Sequence, residues 1–173
     1  AGGHSGEIAT MVLVPEVVEA VSPRPVLAAG GIGSGRQAAA ALALGAQGVW
    51  TGSMWLNTVE CHQSDIMLKK FREARSQDAV RSRAYTGKPA RQLRTEWTDA
   101  WDDPANPDPL GMPLQYMLNS EALERIRRAG KEELMGTPIG QLVGSFQEVR
   151  TVAEVVAQLK DEYTRTVAAL PQL

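Results

Sequence analysis

The sequence predicts an α/β fold built on parallel strands, and three observations carry that prediction. An apolar run, Pro25–Ala29, ends in the turn Gly30-Gly31; an alanine-rich stretch, Arg36–Leu44, stops at Gly45; a second run, Gly48–Gly52, closes on Gly52-Ser53. Strand, glycine turn, helix, glycine stop and strand, in that order, is the unit that lays two parallel strands side by side. Pro25–Ala29 is apolar throughout, the pattern of a strand covered on both faces.

The remaining elements follow from spacing. Met11–Val21 sets Val14, Val17, Val18 and Val21 at helical intervals, with Pro15 tolerable in a first turn. Ser22-Pro23-Arg24-Pro25 is a loop. Gly45 stands at the C′ position where a helix closes in left-handed backbone. Ser64–Ser76 predicts an amphipathic helix with Ile66, Met67, Phe71 and Ala74 as its apolar members. Ala79–Arg94 has no sustained period and is broken by Gly87-Lys88-Pro89, and Trp97–Pro113, rich in proline and aspartate, reads as a loop. Glu121–Ala129 and Val152–Ala169 are helices, the second carrying Val152, Val155, Val156, Leu159 and Tyr163 on one face. Gly136–Gly140 and Gly144 form a second glycine-rich stretch.

Composition removes several classes of function. The chain has 173 residues with 18 Lys+Arg against 20 Asp+Glu, a net charge of −2, and no basic run, which argues against nucleic acid. The single cysteine, Cys61, excludes an internal disulfide framework and fits a reducing, cytoplasmic setting. His4 and His62 are the only histidines, so the usual Cys/His zinc site is excluded by supply, and no metal is expected. The longest charge-free run, Gln37–Val59, is interrupted by glycines and amides and does not read as a membrane span. The residues specify no oligomeric state.

Chemistry concentrates at the glycine turns. Gly30-Gly31 and Gly52-Ser53 end consecutive strands and therefore share the C-terminal edge of a parallel sheet, where α/β proteins bind ligands. Glycine lets backbone N–H groups approach a phosphate closely, and in a (β/α)8 barrel the loops after the last two strands commonly form such a site. Two ordinary tight turns are the competing reading of each turn taken singly. A rival reading takes Gly33-Ser34-Gly35-Arg36-Gln37-Ala38 as the dinucleotide fingerprint G-x-G-x-x-A. Its required acid at the end of the second strand is missing, because that end is Thr51-Gly52-Ser53 and Glu60 comes too late. His4, between Gly3 and Ser5-Gly6, is either an idle solvated side chain, the default for a lone loop histidine, or a general base. Cys61 and His62 read as indifferent, and the acids of Trp101–Pro104 as turn formers, with a weak cation site as their alternative; Arg81, Arg83, Lys88, Arg91 and Arg94 either face an anionic substrate or, the default for such residues, form a solvated surface.

Gly2-Gly3-His4-Ser5-Gly6, Ala28–Ile32, Ala41–Val49 with Gly52-Ser53, Thr86–Arg91 and the glycine-rich run near Gly140 together resemble the nitronate monooxygenase family, formerly the 2-nitropropane dioxygenases. The resemblance implies an FMN-dependent TIM barrel with a smaller, largely helical second domain. It implies oxidation of alkyl nitronates or nitroalkanes by O2 to a carbonyl compound and nitrite. His4 would be the general base; Gly2 and Gly3 would lie along the flavin; Ala29, Gly30, Gly31, Gly52 and Ser53 would hold the cofactor and its phosphate. Ser53 stands where the family pattern leads us to expect threonine, and the hydroxyl is kept.

A whole barrel needs about 250 residues and eight strands, so the chain is expected to be the C-terminal part of one. Residues 1–60 would form the last βα units, 61–150 the smaller domain and 151–173 a helix returning to the barrel. Two other activities fit the same motifs: an FMN enoyl-thioester reductase using NAD(P)H, and a non-flavin barrel isomerase or lyase acting on a phosphorylated sugar. A stable portion of a barrel without activity of its own is the non-enzymatic alternative.

Overall fold

The computed structural model describes residues 2, 3 and 6–170. Its first half realises the predicted crossover. Helix α1 spans Thr10–Val21, strand β1 Leu27–Ala29, helix α2 Gly35–Ala43 and strand β2 Gly48–Trp50. The strands pair in parallel, Leu27 opposite Gly48, Ala28 opposite Val49 and Ala29 opposite Trp50. Local chemistry sets the boundaries of α2: the Ser34 hydroxyl accepts the Gln37 N–H at 3.3 Å as N-cap, and Gly45 takes φ +96° beyond the last turn. Val14, Ala28, Ile32, Ala38, Ala41 and Ala46 form the core between helices and sheet. Two expectations need correction. Helix α1 begins at Thr10, which puts Pro15 in its second turn. Among the described residues the sheet is covered on one face only: Ala28 is buried, whereas Leu27, Ala29 and Trp50 on the other face are exposed.

Helix α6, Val152–Ala169, returns against α2. Small residues on α2 permit close approach: a Cβ on Gly35 would lie 2.1 Å from the Tyr163 backbone nitrogen. The contact is also polar, because the Glu162 carboxylate accepts the Gly35 N–H at 2.9 Å and a Gln158 N–H at 2.6 Å. Burial acts to raise the Glu162 carboxyl, but these two donors with Arg36 and Arg165 outweigh it and hold it below its ordinary value. A depressed carboxyl stabilises the fold above its unfolded-state value, about 4.3. That stability is lost as pH falls through the folded value. Solvent screening keeps the contribution near 0.5 kcal/mol. Glu162→Gln, which keeps an acceptor for Gly35, is therefore expected to flatten the acid limb of a melting-temperature curve below about pH 4.5. Parallel wild-type and variant curves there would remove the role given to the charge.

The second half holds helix α3 (Asp65–Glu73), strands β3 (Ala79–Ser82) and β4 (Ala90–Leu93), and helices α4 (Glu96–Asp102) and α5 (Leu114–Ala129). Strands β3 and β4 are antiparallel, with Ala79 opposite Leu93 and Ser82 opposite Ala90. They pack with Met67, Phe71, Met135 and Val143 in one core. Three departures from the sequence reading share a cause, polar residues in buried positions. The hairpin buries Ser82 and Gln92, the Gln92 amide donating to the Ser82 carbonyl at 3.0 Å, which erases the alternation. Helix α4 lies in the stretch read as loop and starts on a reciprocal box: Thr95 accepts the Thr98 N–H at 3.3 Å and Thr98 accepts the Thr95 N–H at 2.9 Å. Helix α5 begins at Leu114 rather than Glu121 because its first turns bury Gln115 and Asn119. Both amides donate to the Ala84 carbonyl, at 3.1 and 2.5 Å, while Leu114, Met117 and Leu118 face outward.

Candidate functional site

The parallel register brings the ends of β1 and β2 to one edge, so the turns that follow them are neighbours. Gly30 and Gly31 adopt φ +91° and +74°, backbone that side chains rarely enter, and this bends the chain sharply off the sheet. Thr10, at the start of α1, donates its hydroxyl to the Gly30 carbonyl at 2.8 Å and fixes the turn. The Gly2-Gly3 segment crosses in front: a Cβ on Gly2 would lie 3.6 Å from the Gly30 Cα and 3.8 Å from the Gly140 Cα. Three backbone segments thus meet at this point.

A cleft of about 450 Å³ opens at this edge, and Gly2, Gly3, Ala29, Gly30, Gly31, Gly52 and Ser53 all line it. His4 lies outside the described residues. The second half of the chain closes the cleft. The Ser53 hydroxyl accepts the Gly140 N–H at 2.7 Å, the Arg91 N–H donates to the Gly3 carbonyl at 3.2 Å, and Arg81 pairs with Glu7 at 2.6 Å. The segment ahead of α1 is thus tied to the β3–β4 hairpin on both sides of residues 4 and 5. The rest of the wall is apolar, from Trp50, Leu56, Ile139 and Leu142.

The sequence reading missed Trp50, Gly140 and Arg91 as cleft residues. Trp50 had a usable signal, its place one register step before the second glycine turn. Gly140 and Arg91 lie in stretches that carry the family resemblance, but spacing alone could not place them here, because the contacts that bring them to the cleft are distant in sequence. Cys61 and His62 are not among the residues lining the cleft. Asp103 caps a turn as expected, accepting the Ala105 N–H at 2.9 Å, but Asp102 lies within α4 and accepts the Ser82 hydroxyl at 2.8 Å. Among the described residues no cluster of His, Cys, Asp or Glu suits a metal ion, and no helix is long and apolar enough to cross a membrane.

The rival fingerprint fails on its own amides. Gly33 N–H donates to the Gln37 side chain at 2.9 Å, Gly35 N–H to Glu162 at 2.9 Å, and Gln37 N–H to Ser34. A pyrophosphate would find those donors of α2 taken and a carboxylate in its place.

The model of the nitronate monooxygenase family matches residues 1–162. The chain belongs to the nitronate monooxygenase family. A Mycobacterium tuberculosis protein whose name says monooxygenase, without a substrate, is 57% identical over all of this chain and 48% of its own length. Nitroalkane oxidase from Streptomyces ansochromogenes superposes with a TM-score of 0.85 at 29% identity, over 99% of this chain and 51% of that one. FabK from Thermotoga maritima gives 0.77 at 34% identity, over 97% and 53%. The chain therefore spans about half the length of these relatives. This nitronate monooxygenase family is one of flavin-dependent oxidoreductases, its relatives have TIM-barrel-type folds, and the mixed α/β architecture of this member accords with them.

Proposed function

We propose that this chain supplies the C-terminal βα units of an FMN-binding barrel whose enzyme oxidises alkyl nitronates and nitroalkanes with O2, giving a carbonyl compound and nitrite. In this reading residues 1–60 are barrel, 61–150 a smaller domain against the cleft, and 151–173 the returning helix, with a cytoplasmic location. The observation that carries it is the convergence of both glycine turns and the Gly2-Gly3 segment on one cleft.

The cleft fits the cofactor. Backbone N–H groups at Gly30-Gly31 and Gly52-Ser53 suit a phosphate. Ser53 already accepts the Gly140 N–H, so its own O–H proton remains available to an oxyanion. Ala29 and Trp50, which line the cleft beside Gly2, Gly30 and Gly140, offer a flat ring an apolar surface. Bound flavin would supply the redox chemistry, taking electrons from the substrate carbon and passing them to O2. The chain does the rest. His4 removes the proton from the carbon bearing the nitro group, and the imidazolium then favours the negative nitronate. The apolar wall keeps water from the reacting atoms.

The test is a visible absorption spectrum of the full-length protein, followed by additions to it. A flavin spectrum with nitrite released from propyl-2-nitronate supports the reading. Anaerobic bleaching by NADPH without nitronate turnover replaces it with the enoyl-thioester reductase, and a colourless active protein removes flavin altogether. Gly31→Val, which forces a β-branched residue to φ +74°, is expected to lower FMN affinity by about 100-fold or more. Unchanged affinity in the folded variant would take the phosphate away from this turn.

A further inference from the structure

The basic residues between 81 and 94 separate in the structure. Arg81 pairs with Glu7 at 2.6 Å and Arg94 with Asp99 at 2.9 Å. Arg83 gives its side-chain N–H groups to the Gly87 and Pro109 carbonyls at 3.0 and 2.9 Å, and Lys88 is exposed. Arg91 differs from all of these. It is half-buried and lines the cleft, and among the described lining residues it is the one that carries a charge.

Its position is fixed from three sides. The backbone N–H donates to the Gly3 carbonyl at 3.2 Å and the carbonyl accepts the Ile139 N–H at 3.2 Å. The side chain donates from Nη1 to the Ala79 carbonyl at 2.7 Å. That bond uses one of five guanidinium donors. No described residue accepts from Nε or Nη2, and no described carboxylate pairs with the group. Arg81 stands directly opposite across the β3–β4 pair, so Glu7 is already matched there and leaves no surplus negative charge for Arg91. A half-buried, preset cation without a counter-ion is costly in an empty cleft. The cost turns into affinity when an anion enters.

We propose that Arg91 is an oxyanion-holding residue of this cleft, its unused guanidinium N–H groups receiving either the phosphate of the cofactor or the nitronate oxygens of the substrate. The identity of the anion rests on the flavin reading above; the unpaired charge does not.

The experiment compares full-length wild type, Arg91→Gln and Arg91→Lys, each first checked for wild-type melting. Glutamine can still donate to the Ala79 carbonyl but carries no charge; lysine keeps the charge. FMN, riboflavin and inorganic phosphate are titrated, and KM is measured for propyl-2-nitronate and for neutral 2-nitropropane. If the anion is the cofactor phosphate, Arg91→Gln loses about 10- to 100-fold in FMN affinity while riboflavin is unchanged. If it is the substrate, FMN affinity holds and KM rises by a similar factor for the nitronate alone. In either case Arg91→Lys retains most of the wild-type value. Equal losses in the glutamine and lysine variants, or a folded Arg91→Gln that matches wild type throughout, overturn the proposal. A wild type that takes up no flavin sinks the cofactor reading instead. The phosphate titration then decides Arg91: binding lost in Arg91→Gln and kept in Arg91→Lys upholds it, and no phosphate binding by wild type ends it.

Discussion

Gly35→Val is expected to force α6 away from α2 and to destabilise the protein by about 3 kcal/mol or more, at the upper end of overpacking effects. The added Cβ would lie 2.1 Å from the Tyr163 nitrogen, and 2.5 Å from both the Leu159 oxygen and the Glu162 Cβ. Two of those atoms are backbone within a helix and have no rotamer to escape into. Alanine places the same Cβ and should show most of the loss, even though replacing a helical glycine by alanine gains up to about 1 kcal/mol of propensity. Gly33→Ala is the control. Its Cβ would meet the Phe146 ring at 2.6 Å and a Leu142 methyl at 2.9 Å, flexible side chains that can shift, so a loss nearer 1 kcal/mol is expected. Denaturant midpoints of the full-length variants measure both. The result also bears on the rejected fingerprint, which would have Gly35 substitutions abolish cofactor binding in a protein of normal stability. A Gly35→Val protein that melts like wild type would mean α6 does not sit on α2 as described.

The difference between what the sequence disclosed and what it concealed has a physical basis. The crossover from β1 to β2 was legible because apolar runs, an alanine-rich stretch and a glycine stop all agree locally, and α6 because its apolar residues recur at helical spacing. The paired glycine turns were legible as one site because parallel strands put their ends at one edge. The β3–β4 hairpin, α4 and the start of α5 were not. Each is stabilised by internal polar contacts, Gln92 to Ser82, Thr95 with Thr98, and Gln115 and Asn119 to Ala84, so the buried positions carry the residues a periodicity reads as outward. Arg91 was not singled out from the other basic residues for a related reason. An isolated arginine among polar neighbours has the pattern of solvated surface, and only the Gly3 and Ile139 contacts, from opposite ends of the chain, bring it to the cleft.

His4→Ala, made in the full-length protein, is expected to lose turnover of neutral nitroalkanes by 10²- to 10⁴-fold, the span general-base removal typically costs. It should lose less than about tenfold with propyl-2-nitronate, which needs no proton removed; that smaller loss is the imidazolium's help to the anion. Flavin content should stay at the wild-type level, because the segment is anchored independently of the histidine, by the Gly3 carbonyl to Arg91 and by the Glu7 side chain to Arg81. The split between substrates is what identifies a base. A side chain that merely shaped the loop would depress both reactions together. The pH profile adds a second signature: kcat/KM for the neutral substrate should rise with pH as the imidazole becomes the free base, and then level off. His4→Ala should abolish that rise. Equal losses with both substrates would reassign His4 to positioning the segment over the cleft, and unchanged turnover of 2-nitropropane would remove it from the reaction.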